Sequence, residues 1–122
     1  MITKLVTDHE VKLSPFCGEI REILSGPEYA PNVALAIDIK PTTAHYHASF
    51  DEIYFVLDGL LALKLFDPTS SQTLEQTLSA NELCVITKGV HHKVVAASAQ
   101  NRLCVLCMPR FDATDEHPSS RL

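Results

Sequence analysis

No apolar run in this 122-residue sequence approaches the roughly 20 residues needed to span a bilayer. Met1 to Leu5 lead into polar residues and not into the apolar core of a secretion signal, so a cytoplasmic protein without a membrane partner is expected. A basic excess is also missing. Ten Lys and Arg against fifteen Asp and Glu give a net charge of −5, which offers no footprint for nucleic acid. Glycine is scarce at four residues, and there is no GxGxxG fingerprint, no phosphate-binding P-loop and no GxSxG elbow. Enzymes built on those loops are disfavoured. Long helical periodicity, internal repeats and linkers are absent too, and 122 residues suit one domain with one core.

What is present is mostly strand signal. Short apolar-rich runs occupy Asn32 to Ile39, Glu52 to Leu57, Leu60 to Phe66, Leu74 to Leu78, Leu83 to Thr87, His92 to Ala97 and Leu103 to Met108. Turn chemistry separates them at Asp58-Gly59, Asp67 to Ser71 and Ala80-Asn81, and Asp58-Gly59 is a strong two-residue hairpin signal. The pattern suits an all-β sandwich or barrel. Gly18 to Leu24 reads as strand or one helical turn, and Phe111 to Leu122 as a solvated or loosely docked tail.

The chemistry concentrates in His45, His47, Glu52 and His92. Residues two apart on an extended strand project to the same face, so His45 and His47 can share one ion. A bend at Ala48 to Asp51 then brings Glu52 to the start of the next strand. The fourth ligand is chosen by parity. His91 shares a face with Lys93, which prefers solvent, whereas His92 shares one with Val94 and Ala96, which tolerate an interior. Tyr54 lies on the strand face of Glu52 and is a second candidate for the catalytic pocket, beside its reading as a core aromatic. Asp51 faces the other way and reads as a rim residue, while His9 and His117 stand in polar terminal segments without ligand partners nearby.

These residues resemble the two motifs of the cupin superfamily. In the first, His45-Tyr46-His47, four residues, Glu52, six residues and Gly59 fit the spacing; in the second, Gly89 and His92 fall in place. Ile39 and Asn81 stand where each motif's leading Gly would be, Thr87 replaces a Pro and Ala96 an Asn. Asn81 is a mild change, because Asn tolerates left-handed backbone. The resemblance covers about residues 31 to 108 and implies a cupin jelly roll, or double-stranded β-helix. It implies His45, His47, Glu52 and His92 as metal ligands, with open positions for water or substrate.

Three imidazoles and a carboxylate accept Fe, Mn, Ni, Cu or Zn as a divalent ion. The expected function is a small metal-dependent enzyme on a compact oxygenated metabolite, either a dioxygenase or a carbohydrate isomerase or lyase. Glu52 would stay a ligand or detach to move a proton. The alternative is a cupin that binds or senses a small molecule such as a sugar without turnover. Arg21 is a candidate anchor for an anionic substrate. Cys104 and Cys107 are three apart on one strand and face opposite ways, so with Cys84 they read as buried free thiols; Cys17 is unassigned. Finally, Ile53, Phe55 and Leu57 form an apolar outward stripe, and Leu60 to Phe66 carries a single charge, Lys64. Such a face needs a cover, and a homodimer is expected.

Overall fold

The computed structural model describes residues 11–14 and 18–122. Eleven strands follow in chain order: β1 (Val11–Ser14), β2 (Gly18–Leu24), β3 (Asn32–Ile37), β4 (His45–Tyr46), β5 (Asp51–Asp58), β6 (Leu60–Asp67), β7 (Gln72–Ser79), β8 (Leu83–Ile86), β9 (His91–Ala97), β10 (Arg102–Met108) and β11 (His117–Pro118). One sheet has the order β1-β2-β3-β10-β5-β8, the other β11-β4-β9-β6-β7. All pairings are antiparallel. The two sheets face one another as a jelly roll, and each strand run read from the sequence is found within two residues of its expected ends.

Alternation builds the core. On β5 the inward side chains are Glu52, Tyr54 and Val56; on β6 they are Leu61, Leu63 and Leu65; on β10 they are Leu103, Val105 and Cys107. Gly59 makes the β5–β6 turn at φ +84°, and Asn81 takes φ +71°, the left-handed conformation for which Asn is suited. Asn101, almost fully buried, ties the start of β10 to the chain after β3. Its Oδ1 accepts from Ile39 N at 2.9 Å, and its Nδ2 donates to Ile39 O at 3.0 Å and Ser98 O at 2.9 Å.

Three expectations are corrected here. Ala96 does not share the inward face with His92 and Val94: the β6–β9 register shifts so that Leu63 pairs with Val94 but Ala62 with Ala96. Val95 is the extra residue of a bulge, which turns Ala96 outward and brings Ala97 to the core. Arg21 lies opposite Leu35 on β3, while its neighbour Ile20 packs on the core; Arg21 therefore faces away from the barrel interior and cannot anchor a substrate there. The segment 111–122 is not a loose tail. It forms a 3₁₀ turn over Ala113–Asp115 and then β11, which adds to the free edge of β4. Cys17 and His9 lie outside the described residues.

The outer face of the larger sheet is apolar across several strands. Ile53 and Phe55 sit beside Leu106 and Cys104 of β10 and beside Val85 and Leu83 of β8. Leu83 and Val85 are 54 % and 52 % exposed.

Asp58-Gly59 does not close the two-residue hairpin expected from the sequence, because β5 and β6 belong to different sheets and do not pair. Gly59 instead makes the tight crossing between the sheets, and it is the least tolerant point of that connection. A Cβ there would stand 2.5 Å from both Gln100 O and Ser98 Oγ, and the backbone is left-handed. Gly59→Ala is expected to cost about 2–4 kcal/mol of folding stability, read as a lower urea midpoint; an unchanged midpoint would contradict the close approach.

Candidate metal centre

Strand β4 pairs with β9 so that His45 lies directly opposite His92. His47 follows just beyond β4, where Gly89, at φ +83°, donates its N–H to His47 O at 2.7 Å and so docks the turn before β9 on the ligand strand. Glu52 enters from the opposite sheet. The ligand atoms of His45, His47, Glu52 and His92 all lie within 4.8 Å of one another, and each residue is at most 3 % exposed. Parity on β9 selects His92 as expected. His91 faces out, with its ring stacked on Tyr46 at 4.3 Å and its Nδ1 2.6 Å from Ser119 Oγ.

The hydrogen bonds of the three imidazoles fix what they can do. Nδ1 of His45 meets Thr43 O at 3.3 Å, Nδ1 of His92 meets Val90 O at 3.1 Å, and Nδ1 of His47 meets Asp115 O at 2.9 Å. A carbonyl only accepts, so each Nδ1 carries a proton, and each imidazole in its neutral form presents the Nε2 lone pair. The Nε2 atoms of His47 and His92 and Oε1 of Glu52 are buried without a hydrogen bond. His47 Nε2 is 3.0 Å and His92 Nε2 3.6 Å from the Glu52 carboxylate, close but not aligned for one. Buried polar atoms left this way are costly. Three imidazole nitrogens and a carboxylate oxygen converging on one point fit a divalent metal ion, with the backbone carbonyls orienting the rings from behind.

Electrostatics agree. Burial, helped by the neighbouring His92, holds the His45 imidazole down at about 3, so it is neutral at ordinary pH. Burial acts to raise the Glu52 carboxyl, but the imidazoles of His47 and His92 outweigh it and hold the group well below the usual carboxylate range. Burial likewise acts to lower His47, and contact with Glu52 outweighs it, so that its imidazole is raised. A buried carboxylate in such a cluster demands a cation, either a proton on His47 or a metal ion.

Around this cluster the other candidates fall as follows. Tyr54 is 3 % exposed on the core side, its ring edge-on to His92 at 6.1 Å. It lines, with Ala36, Ile39, Thr42, Val94, Leu103 and Val105, a cavity of about 10 Å³. Asp51 sits on the rim and accepts from Lys88 N at 2.9 Å. Cys104 and Cys107 do face opposite ways, and Cys107 is buried with its Sγ 4.0 Å from Glu52 Oε2. Burial, then the Glu52 charge, pushes that thiol far up, so it is a protonated neighbour of the carboxylate.

Sequence reasoning missed Asp115. Its carboxylate accepts from Ala48 N and Ser49 N at 3.0 and 2.8 Å, from the Ser49 hydroxyl, and from His117 Nε2 at 2.8 Å. The Ser49 hydroxyl, followed by those backbone donors against an opposing burial effect, holds the Asp115 carboxyl well below the usual range. An Asp three residues from a Pro in a polar tail gives no local signal of burial. His117, read as having no ligand partners nearby, does stand outside the cluster; it pairs with Asp115 and packs against Tyr46 at 5.0 Å.

No protein-family model matches the chain, and no curated protein matches it. Solved structures do. A protein from Planctomyces limnophilus is similar at TM-score 0.77 and 23% identity, over 96% of this chain and 94% of that one. KdgF from Halomonas sp. is similar at TM-score 0.74 and 18% identity, over 93% and 98%. A mutant of Bacillus subtilis oxalate decarboxylase OxdC is similar at TM-score 0.78 and 14% identity, over 96% of this chain but 32% of that one, so the chain spans about a third of its length. The fold is the cupin jelly roll.

One divalent ion per chain is expected by elemental analysis of protein purified without a chelating tag. His47→Ala and His92→Ala should each lower metal content at least ~10-fold while circular dichroism still reports a barrel; His91→Ala should leave content unchanged. Equal loss in the His91 and His92 variants would show that the β9 face is misassigned.

Proposed function

We propose that the chain is a small metal-dependent cupin enzyme acting on a compact oxygenated metabolite, with His45, His47, Glu52 and His92 as ligands. The observation that supports this most is the shared tautomer of the three imidazoles, each with Nδ1 on a carbonyl and Nε2 toward Glu52. When bound, a divalent ion supplies Lewis-acid polarisation of a chelating substrate, and a redox-active one supplies oxygenase chemistry as well. Glu52, the one carboxylate in the cluster, either stays a ligand or detaches to move a proton. Tyr54 sets the far wall beside His92.

Size supports the compact substrate. Leu61, Leu63, Val94 and Leu103 pack the interior, and the cavity beside Tyr54, about 10 Å³, holds roughly one water. The C-terminal side, where Phe111 stands edge-on to His47 and Phe50, is inferred to be the entrance. Phe111 also lines an open depression of about 640 Å³, with Tyr29, Ser49 and Arg110 among others. A small hydroxy or keto acid, of the size class that the name oxalate decarboxylase implies for a similar structure, suits this entrance.

The test is a metabolite screen on metal-loaded protein, read by oxygen consumption and by product analysis. Turnover of a small oxygen chelator, lost by more than ~100-fold in Glu52→Gln, is expected. Full metal loading with no turnover across sugars, hydroxy acids and keto acids would overturn the enzyme reading in favour of a binding or sensing cupin.

Two copies are also inferred to pair through the apolar outer face of the larger sheet, where Ile53, Phe55, Leu83, Val85 and Leu106 adjoin. Light scattering should give a mass near twice 13.5 kDa, and Phe55→Glu should shift it toward monomer or aggregate. A stable monomer of the unmodified protein would show that the face is covered from within the chain.

A further inference from the structure

The segment 112–119 runs along β4 and the turn after it, which carry His45 and His47, and grips them from Ala44 to Ser49. Ser119 N donates to Ala44 O at 3.0 Å, Pro118 and His117 pair with His45 and Tyr46, and Asp115 reaches His47, Ala48 and Ser49. Asp115 engages twice. Its backbone carbonyl accepts from His47 Nδ1 at 2.9 Å, and its carboxylate accepts two backbone N–H groups and a hydroxyl from the turn immediately after His47. The residue is only 8 % exposed.

This histidine differs from the other two. His45 and His92 each use the carbonyl two residues before them, Thr43 and Val90, so their own strands set their tautomer. His47 takes its acceptor from a residue 68 positions away. Its tautomer and aim depend on where Asp115 is held, and the carboxylate is what holds it. Removal of such an outer partner usually costs a metal site 10- to 100-fold in affinity.

Resting on the metal reading of the cluster, we propose that Asp115 is a positioning residue for the metal, and that residues 112–119 form a clasp that sets how tightly an ion is held and how fast it leaves. A purely structural clasp would change the stability of the barrel without changing the geometry at the ion. A positioning clasp changes both.

Cobalt(II) is the probe, because its visible bands report ligand number and geometry. The unmodified protein, stripped with chelator, should bind one cobalt ion. Asp115→Ala should then weaken binding by about 10-fold or more, shift or weaken the bands, and speed release to an external chelator, with far-UV circular dichroism unchanged. Asp115→Asn retains one acceptor oxygen and should fall between the two. Should Asp115→Ala not fold, Ser49→Ala removes a single donor to the same carboxylate and should give a smaller acceleration of release. Cobalt bound by the unmodified protein with identical bands and release in the folded variants would overturn the clasp alone. No cobalt uptake by the unmodified protein would overturn the metal reading and the clasp together.

Discussion

Three backbone carbonyls decide what this site is. A buried imidazole must satisfy one nitrogen and leaves the other to point wherever the first bond sends it. At His45 and His92 the satisfying oxygen belongs to the residue two positions earlier, so the extended strand supplies acceptor and direction together. At His47 the strand ends, and the oxygen comes from Asp115. The convergence on Glu52 is thus partly a local property of two strands and partly a tertiary one, and the tertiary part is the part that can be loosened without unfolding the barrel.

Much of this was legible in the sequence because β structure has a period of two. The same-side projection of His45 and His47, the choice of His92 over His91 and the opposite facing of Cys104 and Cys107 are all consequences of that period. Its failures are equally instructive. Val95 breaks the period with a bulge, which no residue type there announces, and Ala96 changes face as a result. Arg21 could not be placed because a strand's face is defined only against its partner, and only its pairing with Leu35 sets it. The clasp was illegible for a different reason. Its residues are polar, and their burial depends on donors in the turn after His47, some 66 positions away.

The interior shows how the fold divides its volume. Apolar side chains, leucine and valine most often, pack the core, while the cluster places a carboxylate and three imidazoles at comparable burial. Packing of this density favours stability, and uncompensated polar burial opposes it by several kcal/mol. A site designed only for stability would not contain Glu52. Its presence, with Cys107 protonated beside it and no aligned donor on Oε1, is a cost that a bound cation offsets.

That cation would also join the halves of the molecule. His45 and His92 belong to one sheet, with His47 just beyond β4, and Glu52 belongs to the other. Apart from the connecting turns, the two sheets are held by apolar contact across the core, which is non-directional and tolerates small sliding. A set of ligands drawn from both sheets fixes their relative position through directed bonds. Binding of this kind adds RT ln(1 + [L]/Kd), about 2.7 kcal/mol at a hundredfold excess over Kd, and it acts on sheet separation in particular. The clasp therefore bears on more than one ligand: by aiming His47 it governs how firmly the smaller sheet is tied to Glu52, and so links the C-terminal segment to the packing of the barrel.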